Sequence, residues 1–262
     1  MTTAMNEILF TKSNGIGHVE FNRPASRNAL TFDMYARLAE ICRSAADDPS
    51  LRVLVISGAG GKAFAAGTDI SLFRDFKGAD SGLDYEHRMA RHLGDIDACP
   101  LPLIAAISGA CTGGGAAVAA CCDLRIASAD MKFGFPIART LGNCLSAANL
   151  AKLSALIGPA RVTDLIFTSR LMNAEEARSI GLVSEILPDH EAVVARGFEL
   201  ARTLLGNAPI TLRVTKEALR RIHRDGAAAQ DEDLVRIAYG SADFREGLDA
   251  FLSKRPPRWT GH

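Results

Sequence analysis

Two loops of small residues carry the chemistry that this sequence could perform. Ala65–Ile70 reads AAGTDI and Thr112–Ala116 reads TGGGA, and each follows an apolar run and precedes a predicted helix. The first N–H groups of a helix have no intrahelical acceptor and lie at the positive end of its dipole, so they stabilise anions. Two such groups converging on one substrate oxygen would form an oxyanion hole. The alternative is that these glycines only permit tight turns and close helix packing.

Strands alternating with helices must position these loops. Ile8–Lys12 and Ile16–Phe21 are predicted to form a hairpin across Ser-Asn-Gly, and Leu51–Ser57 is the continuous apolar run of a buried parallel strand. Thr31 is predicted to cap the helix between them. Further strands are predicted at 101–107, 123–127 and 182–187, and further helices at 82–97, 145–157, 159–168 and 173–180. This alternation implies an α/β fold with crossover units.

Four amphipathic helices are predicted beyond the last strand, at 189–205, 209–222, 229–239 and 241–252. Periodicity therefore divides the chain into an α/β part of roughly 190 residues and an all-helical tail. The apolar faces of the tail must pack either on their own sheet or on a neighbouring subunit, and periodicity does not decide between them.

Composition excludes several classes of protein. The 262 residues are 48% apolar and 23% charged, which is enough to build one large core and excludes disorder as the overall state. Thirty basic and thirty acidic residues leave no net field to attract nucleic acid or anionic lipid. The sequence shows no membrane-length apolar run, and MTTAMNEILF shows no export signal. Six scattered cysteines lack metal-ligand spacing. We therefore expect a soluble, cytoplasmic protein with reduced thiols and no metal.

A glycine-rich segment, Gly58–Ala63, fits the dinucleotide pattern G-x-G-x-x-A after a buried strand. A dinucleotide site requires a long helix directly after this pattern, whereas Gly67 interrupts the sequence and Ala63–Ala66 reads as extended. An ordinary loop is therefore the favoured interpretation, and a nicotinamide-dependent enzyme stays a minor hypothesis.

Five motifs occur in order along the chain: VEFNRPASRNAL, KAFAAGTDI, AISGACTGGGAAVAACCDLRIAS, KFGFPIARTLG and FLSKRPPRWTG. In order and spacing they resemble the crotonase superfamily, also called the enoyl-CoA hydratase/isomerase family, over nearly the whole chain. The resemblance implies a spiral of ββα units in residues 1–190 and a helical trimerisation region in 191–262. It further implies a homotrimer or dimer of trimers, an acyl-CoA substrate, and no cofactor beyond the CoA moiety.

The same resemblance assigns roles to individual positions. The backbone N–H groups of Thr68 and Gly114 would form the oxyanion hole, and Asp69 would cap or orient the helix behind it. In relatives, residues near the carboxyl end reach the nucleotide end of CoA, in some cases across a subunit boundary. The positions matching the CoA-binding residues are Ala25, Ser26, Arg27, Ala66, Asp69, Ile70, Phe251 and Lys254.

The chain departs from the hydratases of this family at two positions. Those hydratases use two glutamates to activate water and to protonate the α-carbon. Ala117 stands where the first glutamate follows the glycine loop, and Ile137 stands where the second follows the proline of FGxPE. Neither side chain can give or take a proton, so the two-glutamate mechanism of hydration does not transfer to this chain.

Other residues could supply chemistry in their place. Cys144 could act as a nucleophile or base, although a small buried apolar residue is the favoured interpretation of such a thiol. Arg139 could bind a carboxylate on the acyl group or form a structural ion pair. Glu86 or His87 could replace a missing acid or base, although a solvated helix face is favoured for the stretch that carries them.

Two functions follow from these residues. The first is an enzyme that polarises a thioester carbonyl and stabilises an enolate, with isomerisation, hydrolysis or another enolate reaction at least as well supported as hydration. The second is a non-catalytic acyl-CoA binding protein whose pocket has become more apolar through Ala117 and Ile137.

Overall fold

The computed structural model describes residues 7–45 and 47–262 of the chain. Residues 1–6 lie outside the described residues. They begin the region 1–190 that was predicted to form the α/β spiral, and they include most of the stretch in which no export signal was recognised.

The strands of the described residues form two sheets. They are β1 Ile8–Ser13, β2 Gly15–Phe21, β3 Leu51–Gly58, β4 Ala63–Ala65, β5 Leu103–Ile107, β6 Ala110–Thr112, β7 Leu124–Ser128, β8 Lys132–Gly134, β9 Met172–Asn173 and β10 Ile186–Leu187. The larger sheet has the order β1-β2-β3-β5-β7-β10 and the smaller has β4-β6-β8-β9. The predicted hairpin β1-β2 is antiparallel, whereas the rest of the larger sheet is parallel.

Helices follow the strands and then continue alone. They are α1 Phe32–Ser44, α2 Ala79–Asp97, α3 Gly114–Cys121, α4 Ile137–Thr140, α5 Ala147–Ile157, α6 Pro159–Thr168, α7 Ala174–Ser179, α8 His190–Leu205, α9 Pro209–Asp225, α10 Glu232–Gly240 and α11 Ala242–Leu252. The predicted cap of α1 is confirmed, because the Thr31 side chain accepts a hydrogen bond from the Met34 N–H.

Three consecutive units have the same plan. In β3-β4-α2, β5-β6-α3 and β7-β8-α4, the first strand joins the larger sheet, the second joins the smaller sheet, and a helix follows. This confirms the predicted α/β spiral of ββα units.

Apolar residues fill both sides of the larger sheet. One side holds the main core, in which side chains such as Phe21, Leu38 and Phe64 are fully buried. On the other side α8 covers the sheet, and Gly197 allows a close approach, since a Cβ there would lie 3.2 Å from Val55 Cγ1. The first helix of the tail therefore packs on its own sheet.

The next three helices bury few side chains. Large apolar residues stay exposed on α9, α10 and α11: Leu219, Ile222, Val235, Ile237, Tyr239, Phe244, Leu248, Phe251 and Leu252. In the described part of the chain, no helix combines the length and the apolar character that crossing a membrane requires.

The predicted strand 182–187 is wrong in its first half, since only Ile186–Leu187 pairs with β7. The N–H groups of Leu182 and Val183 donate instead to the carbonyl of Ala177 at the end of α7. Gly181, at a φ of 77°, turns the chain to allow this.

Candidate functional site

The ends of three neighbouring strands define the site. β4, β6 and β8 lie side by side and parallel in the smaller sheet. Their carboxyl ends therefore lie at one edge, where ligands commonly bind in parallel sheets. Thr68 follows β4, Gly114 follows β6 and Ile137 follows β8, so residues far apart in sequence meet at this edge.

The two small-residue loops touch each other. A Cβ on Gly113 would lie 3.5 Å from the Cα of Gly67. Both glycines have positive φ, of 50° and 109°, a backbone conformation that other residues rarely adopt. Glycine is therefore required here both for the turn and for the contact between the loops.

Two backbone N–H groups are unused at this contact. Gly114 is the first residue of α3, so its N–H has no acceptor within the helix. Among the described residues, no hydrogen bond takes the N–H of Gly114 or of Thr68, although Gly67 and Asp69 on either side of Thr68 are bonded to Leu30. Both Thr68 and Gly114 line a cavity of about 190 Å³.

Three hydroxyl groups fix the Thr68 loop. The Thr68 hydroxyl lies 2.9 Å from the hydroxyl of Tyr35 on α1 and 3.2 Å from that of Tyr85 on α2. Burial raises the pKa of both tyrosines, so both remain neutral hydroxyl groups that can donate or accept. Sequence reasoning missed this role, because the helical spacing of Tyr35 identified a buried face and not a partner for its hydroxyl.

The cavity wall confirms that Ala117 and Ile137 lie together. Both side chains line the cavity, and each is only 8% exposed. The wall contributed by α3 and α4 is therefore apolar at the two positions where the resemblance places the glutamates of hydratases. Cys144 also lines this cavity but is exposed, whereas the other five cysteines are buried.

Glu86 is the acidic side chain of this cavity in the described part of the chain. It is half-buried, and desolvation raises its pKa, an effect that the backbone N–H of Ser146 partly opposes. His87 and Asp84, on the same helix, are exposed and do not line the cavity. The favoured interpretation of this stretch as a solvated face was therefore wrong for Glu86.

A second cavity, of about 730 Å³, adjoins the first and shares six lining residues with it: Phe73, Tyr85, Glu86, Leu141, Asn143 and Cys144. Its remaining walls are mostly apolar, with Phe76, Ala79 and Leu83, and also include Asp80. The joined space is large enough for an extended apolar group.

Arg139 and Asp69 lie outside these walls. Arg139 is exposed on α4 and forms no ion pair with any described residue, so neither role considered for it is supported. Asp69 caps the 3₁₀ turn Ile70–Phe73, as expected of a capping residue, by accepting the Ser71 N–H, and Arg23 donates to its other oxygen at 2.9 Å. The Ser71 hydroxyl also donates to Asp69 at 2.7 Å, and this bond, followed by those from Arg23 and the Ser71 N–H, lowers the pKa of Asp69.

Most positions expected to contact CoA lie along one side of the first loop. The Ala66 N–H donates to the Arg27 carbonyl at 3.0 Å, which holds the exposed segment Ala25–Arg27 beside that loop. Ile70 is 59% exposed and lines the cavity. Phe251 and Lys254 lie apart, since Phe251 lines a different cavity, next to Trp259, and Lys254 follows α11.

The dinucleotide hypothesis fails on geometry. The segment that follows Gly58–Gly61 is the three-residue strand β4, whereas a dinucleotide turn opens a helix at this point. The prediction that the residues after Lys62 adopt an extended conformation is confirmed by β4.

Comparison with known proteins identifies the family. A sequence model described as enoyl-CoA hydratase/isomerase matches residues 11–262. The chain belongs to the enoyl-CoA hydratase/isomerase family.

Relatives match this chain over nearly its full length, both in sequence and in structure. A crotonyl-CoA hydratase of Syntrophomonas wolfei is 31% identical over 96% of this chain and 97% of its own. A 2,3-dehydroadipyl-CoA hydratase of Escherichia coli is 30% identical over 98% of this chain and all of its own. An enoyl-CoA hydratase/carnithine racemase structure from Magnetospirillum magneticum superposes with a TM-score of 0.90 at 34% identity, covering 98% and 97% of the two chains.

Proposed function

We propose that this protein is an enzyme that binds an acyl-CoA thioester and stabilises an enolate formed from it. The observation that carries the proposal is that Thr68 and Gly114 line one cavity and that neither N–H group has a hydrogen-bond acceptor among the described residues. The relatives named as hydratases of CoA thioesters support the choice of substrate class.

The oxyanion hole works as follows in this proposal. The thioester oxygen accepts hydrogen bonds from both N–H groups, and these strengthen as negative charge grows on that oxygen. Neutral Tyr35 and Tyr85 hold the Thr68 side chain, so the loop is already positioned before the substrate binds. Ala25–Arg27 lies beside the loop that carries Ala66 and Ile70, which supports a path for CoA along that loop. The adjoining apolar cavity would accept the acyl chain.

The proposed reaction is an enolate reaction other than two-glutamate hydration. Ala117 and Ile137 line the wall where both glutamates of a hydratase would lie. Double-bond isomerisation and thioester hydrolysis are the alternatives within the enzyme class. The same two apolar side chains favour a second candidate function, a protein that holds an acyl-CoA without changing it.

A panel of saturated, enoyl and dicarboxylic acyl-CoA thioesters tests these proposals. The masses of thioester and protein and the absorbance of the conjugated double bond are followed together, with binding measured by calorimetry. Gain of water identifies hydration, loss of CoA identifies hydrolysis, and a change of absorbance at constant mass identifies isomerisation. Binding without any such change supports the binding protein, and an absence of binding across the panel contradicts both functions.

We also propose that the chain forms the homotrimer or dimer of trimers that its family resemblance implies. The exposed apolar residues of α9, α10 and α11 support self-association through this tail. The division at residue 190, the cytoplasmic location and the absence of a further cofactor stay predictions.

A further inference from the structure

The cavity is apolar at the two positions where the family resemblance places glutamates, and it has a carboxylate on a third wall. Ala117 on α3 and Ile137 on α4 are apolar, whereas α2 places Glu86 into the same cavity. Nothing in the sequence motifs of the two loops points to Glu86, which lies on a helix between them in the chain.

Glu86 lines the same cavity as Thr68 and Gly114, and its helix is bonded to the Thr68 loop through the neighbouring residue. Tyr85 precedes it directly on α2, and the Tyr85 hydroxyl lies 3.2 Å from the hydroxyl of Thr68. The turn of α2 that carries Glu86 is thereby tied to the loop that carries the Thr68 N–H. The Glu86 carboxylate therefore borders the cavity that the Thr68 and Gly114 N–H groups also line, and it accepts a hydrogen bond from the backbone N–H of Ser146.

The surroundings of Glu86 are those of a group prepared to exchange a proton. It forms no ion pair with a basic side chain of the described residues, and its neighbours in the cavity include Phe73, Met89 and Leu145. Desolvation raises the pKa of Glu86, partly opposed by the Ser146 N–H, and a raised pKa favours a carboxyl group that both takes up and returns a proton. The other titratable groups lining the cavity are Tyr35, Tyr85 and Cys144.

We propose that Glu86 is the catalytic acid and base of this site. Its carboxylate takes a proton from a carbon activated by the thioester carbonyl, and the C–H electron pair becomes the carbon–carbon double bond of an enolate. The negative charge moves to the thioester oxygen, between the N–H groups of Thr68 and Gly114. Glu86 then returns the proton to the same carbon or to the conjugated one, so no atom is gained or lost. This assignment rests on the proposed function.

Isotope exchange separates this assignment from the proposed function itself. Saturated acyl-CoA is incubated with enzyme in deuterium oxide, and deuterium incorporation is followed by mass spectrometry. Glu86→Gln keeps the shape of the side chain but removes its basicity, so exchange is expected to fall about 100-fold or more. Asp84→Asn changes an exposed carboxylate on the same helix and is expected to exchange at the wild-type rate.

Measurements of binding and of thermal unfolding show whether a loss of exchange comes from the missing carboxylate or from misfolding of the variant. Glu86→Gln is expected to unfold at a temperature no lower than the wild type and to bind thioester with similar affinity. Glu86→Asp is expected to recover part of the exchange. Exchange by Glu86→Gln at the wild-type rate, with exchange by the wild type intact, would overturn the assignment alone. A wild type that binds thioester but exchanges nothing would overturn the assignment together with the enolate chemistry, and would favour the binding protein. A wild type that does not bind thioester at all would overturn the proposed function.

Discussion

The Tyr35 hydroxyl lies 2.9 Å from the hydroxyl of Thr68, and it occupies the space that a side chain at position 114 would need. A Cβ on Gly114 would lie 1.8 Å from that tyrosine oxygen and 2.9 Å from the Thr68 oxygen. Position 114 must therefore be glycine as long as Tyr35 keeps its place on α1.

Gly114→Ala is expected to reduce kcat/KM by about 100-fold or more, since the new methyl group must displace the Tyr35 hydroxyl and shift one of the two donors. Adding Tyr35→Phe removes the clashing oxygen, so the double variant is expected to be more active than Gly114→Ala alone. Gly94→Ala, on α2 with open space around it, serves as the control and is expected to retain full activity. A double variant as inactive as Gly114→Ala would show that the clash is not the cause.

Tyr35→Phe alone is expected to lower the free energy of unfolding by about 1 kcal/mol, because a buried hydrogen bond to Thr68 is lost. Urea denaturation at neutral pH measures this change. The exposed Tyr239 provides a matched substitution, and Tyr239→Phe is expected to leave the unfolding midpoint unchanged. Equal effects of the two substitutions would argue against a structural role for the Tyr35 hydroxyl.

Asp69 is expected to stabilise the fold only while it is ionised. Its pKa is lower in the folded than in the unfolded chain, first because the Ser71 hydroxyl donates to it, so its contribution is complete above the unfolded pKa of about 3.9. It is lost as the pH falls through the folded pKa. The difference in urea midpoint between wild type and Asp69→Asn is expected to be largest near neutral pH and to shrink at about pH 3. A difference that grows on acidification would contradict this sign.

The second cavity is expected to set the tolerance for acyl length. Leu83→Glu places a charge among its apolar walls, so kcat/KM should fall for hexadecanoyl-type thioesters that reach this space. Butanoyl-type thioesters should be unaffected, because we expect so short a chain to end within the first cavity. A parallel loss for both lengths would indicate that Leu83 acts on folding rather than on chain length.

Self-association is expected to depend on the exposed apolar residues of the tail. Leu248→Asp, on α11, should convert the oligomer to monomers in sedimentation experiments, since a charge would enter the apolar contact. Arg245→Ser on the same helix changes a polar exposed position and should leave the assembly intact. A monomeric wild type would contradict the proposed trimer directly.

Much of the scaffold was predictable from sequence. The hairpin β1-β2, the buried strand β3 and the cap at Thr31 each depend on local chemistry, and each is present. The strands β6 and β8 were not predicted, because three residues are too few to show a periodicity. These are the strands that bring Gly114 and Ile137 to the same edge.

The site was predictable only where its chemistry is local. The loops that hold Thr68 and Gly114 are recognisable by their small residues. Ala117 and Ile137 are recognisable because they stand where the family motif has glutamates. Which face of α2 meets the cavity is set by packing against α1 and α3, and the sequence of α2 alone carries no sign of it. The sequence offered Glu86 only as a candidate acid or base on a helix face expected to be solvated, and the structure places it at the cavity.

The distribution of buried and exposed cysteines gives this protein one natural site for covalent labelling. Five thiols are enclosed, and the sixth, Cys144, is exposed where the two cavities join. A maleimide dye would attach there without any engineered substitution, and its fluorescence would report directly on ligands entering and leaving the space beside it.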